Sequence, residues 1–222
     1  MATLEWPINP HLRRWMTFID GENFAIRAKH FAEGRALELT VGPEYEPDVF
    51  VWMPETPVLS WMSGTDTAQL RPFATRAYYY TSLCGDAVRI DAIRLALWEL
   101  GFQPEVFKRE KPEEKAKGVD IALSKDLLSH AYMDNYDVAV LIAGDGDYVP
   151  LLEEVKRLGK VMYGAFFAGT GLSPQFRLAC DTFFIIDETF EARWKKSACR
   201  DANEEPAPIA PEAAGPGGEP NA

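Results

Sequence analysis

Two segments of this sequence leave aspartate side chains where their charge needs an explanation. Val138-Ala139-Val140-Leu141-Ile142-Ala143 is an apolar, largely β-branched run that reads as a buried strand, and it stops on Gly144-Asp145-Gly146-Asp147. Trp15-Met16-Thr17-Phe18-Ile19 is built the same way and runs into Asp20-Gly21-Glu22-Asn23. In open α/β sheets, ligands bind in the crevice beyond the carboxyl ends of the strands. If the two strands are parallel neighbours, Asp20, Asp145 and Asp147 converge at one sheet edge. Carboxylates crowded in this way repel one another unless a cation offsets their charge. Oxygen donors of this kind select a hard divalent ion, Mg²⁺ or Mn²⁺. Zinc does not fit, because His11, His30, His130 and the three cysteines lack zinc-ligand spacing. A plainer reading makes Asp147 an N-cap after an Asp-Gly turn, and it would suffice for either aspartate alone. Finding the same construction twice favours chemistry.

The elements that must position these residues follow from the apolar periodicity. Residues 1–14, broken by Pro7 and Pro10, form a lead-in, and Phe24 to Phe31 reads as a helix after the first strand. Residues 33–72 interrupt the pattern with five prolines and a possible short strand at Val49-Phe50-Val51-Trp52. Trp52, Met53, Trp61 and Met62 are too apolar for a solvated linker, so part of this insertion is expected to pack; it is also the candidate surface for a second copy or a protein partner. Strands are then expected at 74–82, 105–108, 137–143, 161–167 and 182–186. Helices are expected at 86–100, 119–132, 148–158 and 173–179. This alternation predicts an α/β fold: a parallel sheet sandwiched between two helical layers.

Composition narrows the setting. The chain of 222 residues suits one such domain. Residues 201–222 are Pro, Ala, Gly and Glu with little to bury, and read as a disordered acidic tail. Of the net charge of −11, this tail carries −5 without a single Lys or Arg, which leaves −6 for the rest. That balance disfavours indiscriminate nucleic-acid binding, so a nucleic-acid substrate would need a local basic surface. Cys84, Cys180 and Cys199 are scattered and odd in number, and no apolar run reaches membrane-spanning length. A cytoplasmic protein is expected.

A third acidic element lies at Lys117-Gly118-Val119-Asp120, where a helix begins. N-capping is the plain role for Asp120. Asp126 follows six residues later, roughly 120° around the helix, so only one of the two can face the sheet edge. Asp120 is the better candidate for the metal site, and Asp126 for a helix-surface charge or a partner of the ligands. These motifs together resemble the NYN domain family of PIN-like nucleases, which includes the LabA-type proteins. The resemblance rests on Ile19-Asp20-Gly21-Glu22-Asn23, on Lys117-Gly118-Val119-Asp120 with Asp126, on Gly144-Asp145-Gly146-Asp147-Tyr148-Val149-Pro150-Leu151, and on Leu172-Ser173-Pro174 through Ala179-Cys180-Asp181. It covers about residues 15–190. It implies a PIN-like sandwich whose Asp20, Asp120, Asp145 and Asp147 bind Mg²⁺ or Mn²⁺ and hydrolyse RNA. Lys125 departs from it, standing beside Asp126 where the family tends to be apolar.

The chemistry of the residues leads to the same reaction. A divalent ion held by carboxylates can activate water and offset charge on a phosphodiester as it is attacked. Substrate contacts are expected from Asn23, Lys117, Ser173 and Tyr148. Each has a plainer role: a turn for Asn23, solvated charge for Lys117, an N-cap before Pro174 for Ser173, and packing for Tyr148. Single-stranded RNA is the expected substrate. The competing reading is a non-catalytic regulatory or protein-binding module on the same fold. A phosphatase of the haloacid dehalogenase type ranks last, because Asp20-Gly21-Glu22 lacks the Asp-x-Asp nucleophile.

Overall fold

In a computed structural model, which describes residues 14–53, 74–111 and 118–201, strand β1 (Trp15–Asp20) is buried along its whole length. It has to be, because it is central. Strands β4 (Ala74–Cys84) and β6 (Val138–Ile142) pair with it on either side, both parallel. Strand β5 (Gln103–Arg109) borders β4, while β7 (Val161–Phe166) and β8 (Thr182–Ile185) extend the far side. The resulting order is β5-β4-β1-β6-β7-β8. Strands covered on both faces read as continuous apolar runs, which is why β1 and β6 stand out in the sequence.

The pleat divides those runs between two cores. Trp15 and Ile19 of β1 and Val138, Val140 and Ile142 of β6 point into one. Helices α1 (Gly21–Arg35), α2 (Ala87–Glu99) and α6 (Asp187–Asp201) cover that face with Phe24, Phe31, Leu97 and Phe190. Met16, Phe18, Ala139 and Leu141 point the other way, under α3 (Val119–Tyr132), α4 (Val149–Arg157) and α5 (Pro174–Ala179). The predicted three-layer parallel sandwich is the observed one.

Differences from the expected elements lie mainly at the periphery. The insertion holds a two-residue hairpin, β2 (Tyr45–Glu46) against β3 (Phe50–Val51). Tyr79 ties it to the sheet: its hydroxyl donates to the Val51 carbonyl and accepts from the Val51 amide. Trp52 and Met53 are fully buried, the indole standing edge-on to Phe102 at 4.8 Å. Trp61, Met62 and the N-terminal lead-in fall outside the described residues, as does the tail beyond Asp201. Helix α6 is an addition. It docks through Phe190 and Trp194, one turn apart, and through an Arg35–Glu191 ion pair. Among the described residues no helix is long and apolar enough to cross a membrane.

The chain begins in the middle of the sheet, builds β4 and β5 to one side, and returns to build β6, β7 and β8 on the other. It leaves β1 for the helical layer on one face and β6 for the layer on the opposite face. That divergence opens a crevice beyond the carboxyl ends of β1 and β6.

Candidate functional site

A cavity of about 480 Å³ occupies this crevice, lined by Asp20, Asn23, Arg27, Asp120, Asp145 and Ser173 among others. Asp20, the last residue of β1, is 4% exposed and caps α1 by accepting from the Asn23 amide at 3.3 Å. The turn from strand to helix leaves no room for a side chain at position 21, because a Cβ on Gly21 would lie 1.9 Å from the Tyr79 ring. Asp20 is thereby driven into the sheet edge. Its pKa is pushed up to about 7, first by burial and then by the negative charge of Asp120.

Asp120 reaches the same point from the first turn of α3. Tyr148 joins the two: its hydroxyl lies 3.2 Å from Asp20 Oδ2 and 3.0 Å from Asp120 Oδ1. A phenol has one proton to donate and faces two acceptors. It therefore serves one carboxylate of the pair at a time. Burial and both carboxylate charges hold the Tyr148 hydroxyl far above its ordinary pKa, so it stays a donor.

Asp145 lies at the rim. It is exposed and its side chain accepts from the Asp147 amide at 3.0 Å, capping the 3₁₀ turn Gly146–Tyr148. Glu22 completes the acidic lining, held by Ser82 Oγ at 2.6 Å and by Arg109 Nη1 at 3.5 Å.

The family model of the NYN domain matches residues 14–187, nearly all of the sheet and its helices. The chain belongs to the NYN domain family. Its three-layer sandwich is consistent with a PIN-like fold. A solved structure of a protein of unknown function from Vibrio parahaemolyticus is similar in fold, with a TM-score of 0.56 at 18% identity over 85% of this chain and 98% of that one. No curated protein matches the chain.

This NYN domain rearranges the expected site in three respects. Asp147 does not enter the cavity. It is exposed, and the 3₁₀ turn that sends Tyr148 inward sends the residue before it outward. Tyr148 is no stacking platform for a base: it is 4% exposed, and its ring packs in the core under α3 and α4. Asp126 accepts from Tyr80 Oη at 3.0 Å and pairs with Lys125, away from the cavity. The departure at Lys125 thus amounts to a local ion pair. Ser173 does line the cavity while also capping α5 by accepting from the Phe176 amide. Lys117 lies outside the described residues.

Among the described residues no three His, Cys, Asp or Glu side chains close on a point as a metal cage would. What converges is a pair, Asp20 and Asp120. That donor set fits Mg²⁺ or Mn²⁺ better than it fits a fully dehydrated ion, because Mg²⁺ keeps several waters and takes one or two carboxylates. Two charged residues of the cavity lining were missed from sequence. Glu22 stood inside the quoted motif, and Arg27 lies one helical turn after Asn23 on the same face of α1.

Proposed function

We infer that this chain is a divalent-metal-dependent nuclease whose substrate is single-stranded RNA. The observation that carries the inference is the Asp20–Tyr148–Asp120 arrangement, two carboxylates sharing one hydroxyl at the switch point of the sheet. A structural pair of this kind would be expected to carry its own cation, and among the described residues no Lys or Arg pairs with it. Asp20 and Asp120 would hold Mg²⁺ or Mn²⁺, and the ion would supply charge to offset that of the phosphodiester under attack. Tyr148 positions both carboxylates from beneath. Asp145, exposed at the rim, would accept a proton from the attacking water. Asn23 and Ser173 present polar groups to the same space.

The test is cleavage of labelled single-stranded RNA by wild type and by Asp20→Asn, in Mg²⁺, Mn²⁺ or EDTA. Metal-dependent cutting should appear with wild type and fall about 100-fold or more in the variant, the scale on which single electrostatic groups act. Equal inactivity of the two proteins on RNA and on DNA would reject the nuclease reading.

A further inference from the structure

Arg27 is the Lys or Arg side chain among the described residues lining the cavity, and nothing there pairs with it. Its Nε is buried without a hydrogen-bond partner, and no carboxylate or carbonyl among the described residues accepts from the guanidinium. The other arginines near α1 differ. Arg35 closes on Glu191, and Arg193 on Glu44. An unpaired, partly desolvated guanidinium is costly to keep, and the cost is relieved when an anion reaches it.

The surroundings fix where that anion would lie. The guanidinium rests against Gly171, in the loop between β7 and α5. A Cβ there would meet Arg27 Nε at 2.6 Å and Cζ at 2.7 Å, and the backbone takes a φ of 77° that few side chains tolerate. The glycine lets the guanidinium approach the loop closely, and Asp20, Asp120 and Asp145 line the same cavity. Thr170 Oγ1, one residue before Gly171, is a second buried group without a partner. The cavity lining therefore combines the carboxylates with an unsatisfied cationic fork. A phosphodiester suits this lining, because a cation held by the carboxylates and the guanidinium would each take a share of its charge. A fork of this geometry matches two phosphate oxygens at once.

We propose that Arg27 grips a backbone phosphate of the substrate, and so sets the register of the strand across the carboxylates. The proposal rests on the nuclease reading and adds to it the residue that binds the substrate anion without help from the metal. Its test is therefore made in EDTA, by fluorescence anisotropy of a short labelled single-stranded RNA against wild type, Arg27→Gln and Arg27→Lys, with melting recorded for each.

Arg27→Gln should bind about tenfold or more weakly, as expected when a hydrogen-bonded charge is lost. Its salt dependence should fall by about 0.7, the share of one phosphate contact on a single strand. Arg27→Lys, which keeps the charge but not the fork, should fall between the two. In Mg²⁺ the loss should appear mainly in KM. Unchanged affinity and salt slope in Arg27→Gln would overturn the proposal while leaving metal-dependent cleavage intact. Weaker binding only in proportion to lost melting temperature, with the Lys variant no better than Gln, would mark Arg27 as packing and overturn it too. A wild type that neither binds nor cuts RNA or DNA would reject the nuclease reading and Arg27's role with it.

Discussion

Aspartates gather at both ends of this sheet, and the two groups are treated in opposite ways. At the amino ends of the strands, Arg14 binds Asp137 through its backbone N–H at 2.9 Å and its guanidinium at 2.7 Å. The same guanidinium and Lys160 reach Asp134. Hydrogen bonds from Lys160, then from Arg14, hold Asp134 below the ordinary carboxylate range. At the carboxyl ends, Asp20 is buried beside Asp120 and, among the described residues, no basic side chain joins them; its pKa rises to about 7. Where carboxylates fasten strands together, the chain supplies the cations. Around Asp20 and Asp120 the described residues supply none, and Arg27 lies against Gly171 instead. The position of an aspartate along a strand says less about its role than whether the chain neutralises it.

The sharpest way to break the comparison is to neutralise the unpaired end. Asp20→Asn keeps the shape, the N-cap acceptor and the contact with Tyr148. Activity should therefore collapse by about 100-fold or more while the fold stands, because what is removed is charge for a cation and not packing. The variant should also melt at a temperature equal to or above that of wild type in EDTA, since a buried, repelled carboxylate is gone. A large fall in melting temperature would assign Asp20 to the scaffold and erase the contrast.

Titration offers a second approach. In the unfolded chain Asp20 loses its proton near 3.8, whereas in the folded protein it keeps it to about 7. Between those values the folded state binds the extra proton, so metal-free stability should fall as pH rises through this window, by up to about 4 kcal/mol. The loss is complete above the folded pKa, and at about pH 8 added Mg²⁺ should restore much of it by binding the folded state. Denaturant unfolding in EDTA at about pH 5 and about pH 8 checks this, with Asp20→Asn as control. A flat profile would mean that Asp20 ionises as an ordinary carboxylate. At the other end Asp134 has the opposite sign: its contribution is present above its unfolded pKa and is lost as pH falls through the folded one.

Tyr148→Phe tests the link between the two carboxylates. It removes the one proton they share while the ring still fills the core. The cost should be about 1–3 kcal/mol in metal-free stability, with cleavage lowered less than by Asp20→Asn because both carboxylates remain. The informative readout is Asp20 itself. Without its donor the ionised form is worse off, so the pH window of the previous experiment should shift upward. An unchanged window would show that the hydroxyl does not bind Asp20.

Which parts of this were legible in the sequence follows from the same physics. Strands β1 and β6 announce themselves because burial on both faces demands unbroken apolar runs, and a parallel sheet brings their ends together. Asp20 was readable for that reason, and Asp120 from its place at the start of a helix. The fate of Asp147 was not. It and Tyr148 are adjacent, and only the 3₁₀ turn decides which of them enters the cavity. Helix α6 escaped notice because Phe190 and Trp194 are its main apolar contacts in a run dominated by charge, too few for a periodic signal. Arg27 sits at a position any helical wheel would mark. Its lack of a partner, however, is a tertiary fact, set by a loop distant in sequence that presents Gly171.

The smallest effect belongs to the end where the chain provides its own cations. Asp137→Ala leaves the Arg14 backbone N–H and guanidinium without the acceptor that clamps the start of β1 to the start of β6. Arg14 is half-exposed and water can replace part of what is lost, so about 1–2 kcal/mol of stability should go, read from denaturant unfolding. RNA cleavage at temperatures well below melting should not change, because the crevice is a strand's length away. If Asp137→Ala reduced turnover as deeply as Asp20→Asn, the two ends would not be independent. The rule that neutralised aspartates are structural and unneutralised ones functional would then fail in the molecule that suggested it.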